Sequence, residues 1–447
     1  MLQKFIQSLC TTLFAVALIQ AGLASAQLLD GATLQSLEAK FAAIQPRMIA
    51  WRRDIHEHPE LSGQEVRTAK LVADHLRKLG MEVKTGVGGH GVIGVLKGGL
   101  PGKVVALRAD MDALPVAEVT GLPFASKVTQ MNMGRESPVM HACGHDGHTA
   151  MLMGVADVLA GMREQIPGTV KFIFQPAEEG YSAQPAANAS WGAKAMVEQG
   201  ALENPTPDVA FALHIIPNMA AGMIGFRSGP MWASGDTVNI KVTGKQTHGA
   251  FPWNGVDPIV VSAQIVTALQ SVVSRQLNIS KEPVVLSIGQ INGGNRENIV
   301  PESVVMIGTL RAFDEGMRAD AKERIKKTAE SIAAASGASA AVTFGPSAYP
   351  VTVNPEALTD SMVPVLKQVS GGKAIQIPKM MASEDFSEFQ KVVPGLYLTL
   401  GAMPEGKTPT TAAPNHSPAF DFNEAAMPLG AKAMAAMTLS FLMNISK

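Results

Sequence analysis

Eight consecutive positions, His141-Ala142-Cys143-Gly144-His145-Asp146-Gly147-His148, hold three histidines, a cysteine and an aspartate. Thiolate and imidazole together favour zinc or a neighbouring transition metal. Gly144 and Gly147 let the backbone fold tightly around a bound ion. The plainer alternative is a polar loop in which Asp146 and Thr149 cap the next helix, and Cys143 at its centre argues against that. A second motif, Gln175-Pro176-Ala177-Glu178-Glu179-Gly180, follows the apolar run Val170 to Phe174. Adjacent carboxylates at the end of a buried strand repel one another and are costly without a counter-charge. One glutamate on a metal and the other on an activated water resolves that conflict and divides ligand from general base. Two solvated loop glutamates are the bland reading. The apolar stretch from Val209 ends in His214, and Pro414-Asn415-His416-Ser417-Pro418 sets another histidine in a rigid turn. Each alone is ordinarily structural; together they offer further ligands from strand ends, where open α/β sheets gather their sites. Asp110 and Asp112, at the end of the run from Leu107 to Pro115, could bind metal directly or orient histidine ligands.

The elements that must carry these residues alternate. Helix patterns cover 33–58 and 65–79, the latter closed by Gly80. Strand patterns follow at 92–96 and 103–109, then a helix at 147–162 and strands at 170–174 and 209–214. This order predicts an α/β layer structure with a mostly parallel sheet. Around Gly229 the character changes to strand 237–242, helix 259–277, strands 284–291 and 303–312, helix 316–335 and strand 340–344. That β-α-β-β-α-β order predicts a ferredoxin-like open-faced α+β sandwich. The α/β texture returns after 347 with helix 355–369, strand 395–400 and helix 424–443. The expected division is therefore a leader over 1–26, a first part of one α/β domain over 27–228, an inserted domain over 229–346, and the remainder over 347–447.

The 447 residues, 46% hydrophobic and 17% charged, suffice for two or three domains with a sizeable core. A formal charge of −1 without basic blocks argues against nucleic-acid binding. Lys4, the apolar run Phe5 to Leu23 and Ala24-Ser25-Ala26 read as a secretory signal cleaved before Gln27. A membrane anchor is the weaker reading, because polar residues interrupt that run. The expected product is periplasmic or secreted, with no stable membrane association after cleavage. Of two cysteines, Cys10 leaves with the signal, so Cys143 enters an oxidising compartment as a lone thiol. Such a thiol is a liability unless buried or bound.

The chain resembles the metal-dependent amidohydrolases of the M20 peptidase superfamily. The resemblance is carried by Arg53-Asp54-Ile55-His56 with Pro59-Glu60-Leu61-Ser62, by Arg108 to Pro115, by His141 to His148 and by Gln175 to Gly180. Further on come the His214 strand end, Thr247-His248-Gly249-Ala250, Asn298-Ile299-Val300-Pro301, Ser383-Glu384-Asp385-Phe386 and Asn415-His416-Ser417. It is strongest to the hippurate hydrolases, N-acyl-amino-acid amidohydrolases and auxin–amino-acid conjugate hydrolases. By position, it implies a centre of two divalent ions (zinc or manganese, with cobalt or nickel as alternatives) held by Cys143, His145, Glu179, His214 and His416. It makes Glu178 the general acid/base and the inserted domain a lid that pairs in a homodimer. His248 would then hydrogen-bond the oxyanion, often in the partner's site. Asn298 would contact substrate, and Arg311, on a neighbouring strand, is a candidate for binding the substrate's carboxylate. The implied reaction is hydrolysis of the amide of an N-acyl amino acid, a small-molecule substrate. A carboxypeptidase or dipeptidase with the same centre is one alternative, and an exported non-catalytic binding protein is another. The stretch Tyr181 to Trp191 and Gly294-Asn295-Arg296-Glu297 depart from the family pattern and put acyl-group specificity in doubt.

Overall fold

The computed structural model describes residues 28–183, 189–345 and 348–444; the expected leader 1–26 and part of the stretch 181–191 lie outside the described residues. Eight strands form a large sheet in the order Glu82–Val87, Gly91–Lys97, Pro167–Gln175, Leu100–Asp110, Val209–Ile216, Gly395–Gly401, Ile224–Phe226 and Ala374–Gln376. The four strands from Pro167–Gln175 to Gly395–Gly401 in that order are mutually parallel. Towards both edges the sheet departs from the expected parallel arrangement. Glu82–Val87, Gly91–Lys97 and Pro167–Gln175 pair antiparallel, as do Gly395–Gly401 and Ile224–Phe226. The turn at Gly88 and Gly89 is too short for a crossover, so it can join only antiparallel neighbours. Glu82–Val87 was invisible as a strand because most of its residues face water.

Strand alternation feeds two helical layers. Val105, Leu107, Phe172, Phe174, Phe211 and Leu213 pack into one core with helices Gly31–Glu57, His145–Ala160 and Met427–Met443. Ala106, Ile173, Ala210 and Ala212 point the other way, towards Met196, Phe386 and Phe389. The apolar helix at Met427–Met443 has the composition of a membrane span but is a mostly buried core element.

The second body is an antiparallel sheet in the order Val284–Gly293, Ser303–Ala312, Asp236–Thr243, Ser339–Phe344. Helices Pro258–Ser271 and Glu315–Ala335 cover one face, burying Val238, Ile240, Val242, Ile265, Met306 and Ile325. This is the β-α-β-β-α-β sandwich, except that the long helix ends at Ser271 and continues as a wider π turn, Val272–Gln276. The chain enters and leaves side by side, because Gly229–Trp232 pairs antiparallel with Thr352–Asn354. Met231 and Trp232 belong to the core of the larger body, so the second sheet itself begins at Asp236.

One buried cation ties the C-terminal strand ends together. Arg108, 1% exposed, donates from Nε to Gln175 Oε1 at 2.8 Å and from Nη1 to Asp110 Oδ2 at 2.6 Å. Its Nη2 reaches Glu384 Oε1 at 2.8 Å and Asp385 Oδ1 at 2.9 Å. Two central strands are thereby fixed to the segment that follows the inserted body. Removing the cation leaves three buried carboxylates uncompensated. Arg108→Leu is expected to cost about 3–5 kcal/mol of stability in denaturant unfolding; a loss below about 1 kcal/mol would refute this role.

Candidate metal centre and substrate cavity

Gly144, at φ +97°, turns the chain sharply so that Cys143 and the first residue of helix His145–Ala160 face the same space. A side chain at Gly144 would be strained there. His214 arrives from the end of strand Val209–Ile216, with its Nε2 3.3 Å from Cys143 Sγ. Glu178 and Glu179 follow strand Pro167–Gln175 through Ala177, a non-glycine residue at φ +53°. That conformation costs about 1–2 kcal/mol. His416, also left-handed at φ +69°, is anchored by its own amide to Ala142 O at 2.7 Å. Asn415 Nδ2 donates to Cys143 O at 3.0 Å, fastening the turn to the cysteine loop.

The donor atoms converge in overlapping triads. Within each of the sets Cys143–His145–His214, Cys143–Glu179–His416 and His145–Glu178–Glu179, ligand atoms lie within 4.8 Å of one another. Further out, hydrogen bonds set the ring orientations, as is usual around metal-binding histidines. His145 Nδ1 lies 2.9 Å from Asp112 O and 3.1 Å from Asp112 Oδ1, which turns Nε2 towards the cluster. His214 Nδ1 donates to Ile215 O at 2.8 Å, leaving Nε2 facing the thiol. His148 has no nitrogen to spare: Nδ1 is 2.7 Å from Asp110 Oδ1 and Nε2 accepts from Ile215 N at 2.8 Å. Asp110 and Asp112 thus hold histidine rings in place, the second of the two roles open to them from the sequence.

These residues fit bound divalent cations on three counts. His145 Nε2 is buried without a hydrogen-bond partner, and Glu179 Oε1 lies 2.9 Å from His416 Nε2 with no well-aligned bond. Burial, then the carboxylates of Glu179, Glu178 and Asp110, push the Cys143 thiol well above its ordinary range. His145 is raised to about 10, because Asp110 and Asp112 outweigh the burial that would lower it. The cluster gathers nitrogen, sulfur and oxygen donors in one place, a set that suits zinc or its neighbours. Glu178 is pushed up as well, by burial, Glu384, Glu179 and Asp385.

The cluster opens into a cavity of about 330 Å³ between the two bodies. One wall is apolar, with Ile216, Trp232 and Met380. Opposite are Tyr349, whose hydroxyl donates to Glu178 O, and Arg311, which comes from strand Ser303–Ala312 of the inserted body. Arg311 Nη1 donates to Ser383 Oγ across the gap, and no carboxylate pairs with it within 4 Å among the described residues. Of the nine site residues read from the sequence, seven line this cavity or its metal cluster. His248 and Asn298 do not. They lie beside each other, exposed, where Thr247–His248 pairs with Ile299–Val300 and Gly249 N donates to Asn298 O at 2.7 Å. Trp232, Tyr349 and Met380 escaped the sequence reading, since isolated aromatic or apolar residues near a domain crossing carry no ligand-type spacing.

The family model for peptidase family M20/M25/M40 matches residues 106–440. A thermostable carboxypeptidase of Saccharolobus solfataricus is 40% identical over 409 residues, covering 91% of this chain and 98% of its own. An IAA-amino acid hydrolase of Arabidopsis thaliana is 37% identical over 426 residues, covering 92% of this chain and 91% of its own. Among solved structures, a dinuclear metal-binding M20 peptidase of Bacillus subtilis superposes with a TM-score of 0.72 at 34% identity, covering 90% of this chain and all of that one. With its two-body fold and its ligand cluster, the chain belongs to peptidase family M20/M25/M40 and is a hydrolase acting on amide bonds.

Proposed function

We propose that the protein hydrolyses the amide of N-acyl amino acids to a carboxylic acid and a free amino acid, in the periplasm or outside the cell. The observation that carries this reading is Arg311, a cation without a carboxylate partner in the wall of the cavity that holds Glu178 and the ligand cluster. It would take the substrate's α-carboxylate through paired N–H donors. The apolar wall of Ile216, Trp232 and Met380 would take an aliphatic or aromatic group. The IAA-amino acid hydrolase among the relatives supports an acyl-amino-acid substrate, while the carboxypeptidase supports a peptide as the second reading. The export signal read in residues 1–26 supports the location.

Cys143, His145, Glu179, His214 and His416 would hold two divalent ions, zinc or manganese being the first candidates. Bound there, such ions supply Lewis acidity and lower the pKa of water towards neutrality. Glu178 takes the proton of the attacking water and delivers it to the departing nitrogen. The Tyr349 hydroxyl fixes the Glu178 peptide from the side facing the inserted body.

His248 would serve the oxyanion from a second subunit, with the inserted body, residues 229–346, acting as lid and pairing surface. Its Nδ1 accepts from Ala250 N at 3.0 Å, which sets the tautomer with a proton on Nε2. An exposed Nε2–H donor away from its own cavity is what a residue supplied in trans requires, and the neighbouring Phe251 and Trp253 are 49% and 75% exposed. Asn298, beside it, would contact the same substrate.

Turnover should be compared on hippurate, N-acetyl amino acids and unblocked dipeptides; preference for the dipeptides would favour the carboxypeptidase reading. Glu178→Gln should abolish most turnover with metal content unchanged, and activity within about tenfold of wild type at full metal occupancy would remove its proton role. His248→Ala should lower kcat by on the order of 10²-fold with normal metal content. A near-wild-type rate, or a monomer at assay concentration, would refute supply in trans.

A further inference from the structure

Glu65 is a buried carboxylate that the proposed chemistry leaves unused. It occupies the N-cap position of helix Val66–Lys78, yet its side chain makes no cap hydrogen bond. Glu60 does that work instead, accepting from Arg67 N and Thr68 N at 2.8 Å each. The Glu65 side chain turns inward, 0% exposed, where Oε1 accepts from Gly63 N at 2.7 Å and Ala177 N at 2.8 Å. Oε2 has no partner.

Ala177 is the left-handed residue directly before Glu178. A non-glycine residue holds that conformation when its surroundings over-determine it. The surroundings here are three side chains on three successive residues. Glu65 accepts from the Ala177 amide, Tyr349 donates to the Glu178 carbonyl, and Asp112 Oδ2 accepts from the Glu179 amide at 2.9 Å. Asp112 and Tyr349 also touch other parts of the site, Asp112 through His145 and Tyr349 through the cavity. Glu65 is hydrogen-bonded to the elbow and to Gly63, outside the ligand cluster and the cavity lining.

We infer that Glu65 is a positioning residue, whose carboxyl oxygen holds the Ala177 amide in the left-handed turn and so divides the directions of the Glu178 and Glu179 side chains. This rests on the roles proposed above for those two glutamates. The bond needs reach, not charge. Burial and the nearby Asp112 carboxylate raise Glu65 to about 8, so a neutral side chain of equal length is the faithful substitute.

The test pairs two variants of the full chain, each metal-loaded. Glu65→Gln keeps an accepting oxygen at the same reach. Glu65→Asp keeps the carboxyl group but one methylene short of Ala177, and aspartate is a good residue at a helix N-cap, so the helix is retained. Thermal midpoints, kcat, KM and the rate of metal release to a chelator are measured together. Glu65→Gln should match wild type in kcat and metal release. Glu65→Asp should lose on the order of 10²-fold in kcat with KM nearly unchanged, and release metal faster through the displaced Glu179. Equal loss in both variants, wild-type behaviour of Glu65→Asp, or failure of either variant to fold would overturn the inference. If wild type turns over none of the substrates, the proposed function fails, and the metal-release comparison still decides the role of Glu65.

Discussion

A thiol, two adjacent glutamates and three histidines converge at one end of a cavity between the two bodies, and that crowding of ligand-type groups is the constraint the rest of the structure serves. Burial and neighbouring carboxylates push Cys143 and Glu178 towards their protonated forms. Around them the protein spends its buried cations elsewhere: Arg108 is taken by Asp110, Glu384 and Asp385, and Arg52 by Asp146, Asp421 and Glu424. Inside the cluster the positive charge comes from histidine: His145 is raised to about 10, Asp110 and Asp112 outweighing its burial. Two histidines are turned into the cluster by bonds from outside it, His145 by Asp112 and His214 by a backbone carbonyl.

Parallel strands explain why these groups can meet at all. Leu100–Asp110, Pro167–Gln175 and Val209–Ile216 deliver Asp110, Glu178 and His214 to one edge of the sheet, while the helix at His145–Ala160 starts there. The inserted body adds Arg311 from a strand with its own core, so the two walls of the cavity rest on different cores. Its attachment through the paired strands Gly229–Trp232 and Thr352–Asn354 leaves Trp232 packed at a tilt against the His214 ring, with centroids 5.1 Å apart. The connection between the bodies is thus itself part of the site.

Much of this was legible in the sequence, for identifiable reasons. Dense ligand residues such as Cys143 and His145 announce themselves, and strands buried on both faces, such as Val209–Ile216, read as unbroken apolar runs. The alternation of Asp236–Thr243 likewise marked a half-exposed sheet. Edge strands did not show, because Glu82–Val87 has little to bury. Long-range pairings were equally hidden. Nothing in the spacing of Glu65 and Ala177, or of Tyr349 and Glu178, says that they touch, since those contacts depend on how distant segments fold together. The position of His248 within one chain could not be read either, as a turn histidine looks the same whichever site it serves.

Cobalt substitution tests the central claim most directly. Metal-free protein is titrated with Co²⁺ while absorbance and bound metal are followed, in wild type and in Cys143→Ser. The account predicts that two ions bind per chain, with a thiolate-to-cobalt charge-transfer band that is absent from the serine variant. Binding of no ion, or of cobalt without a thiolate band in wild type, would contradict it.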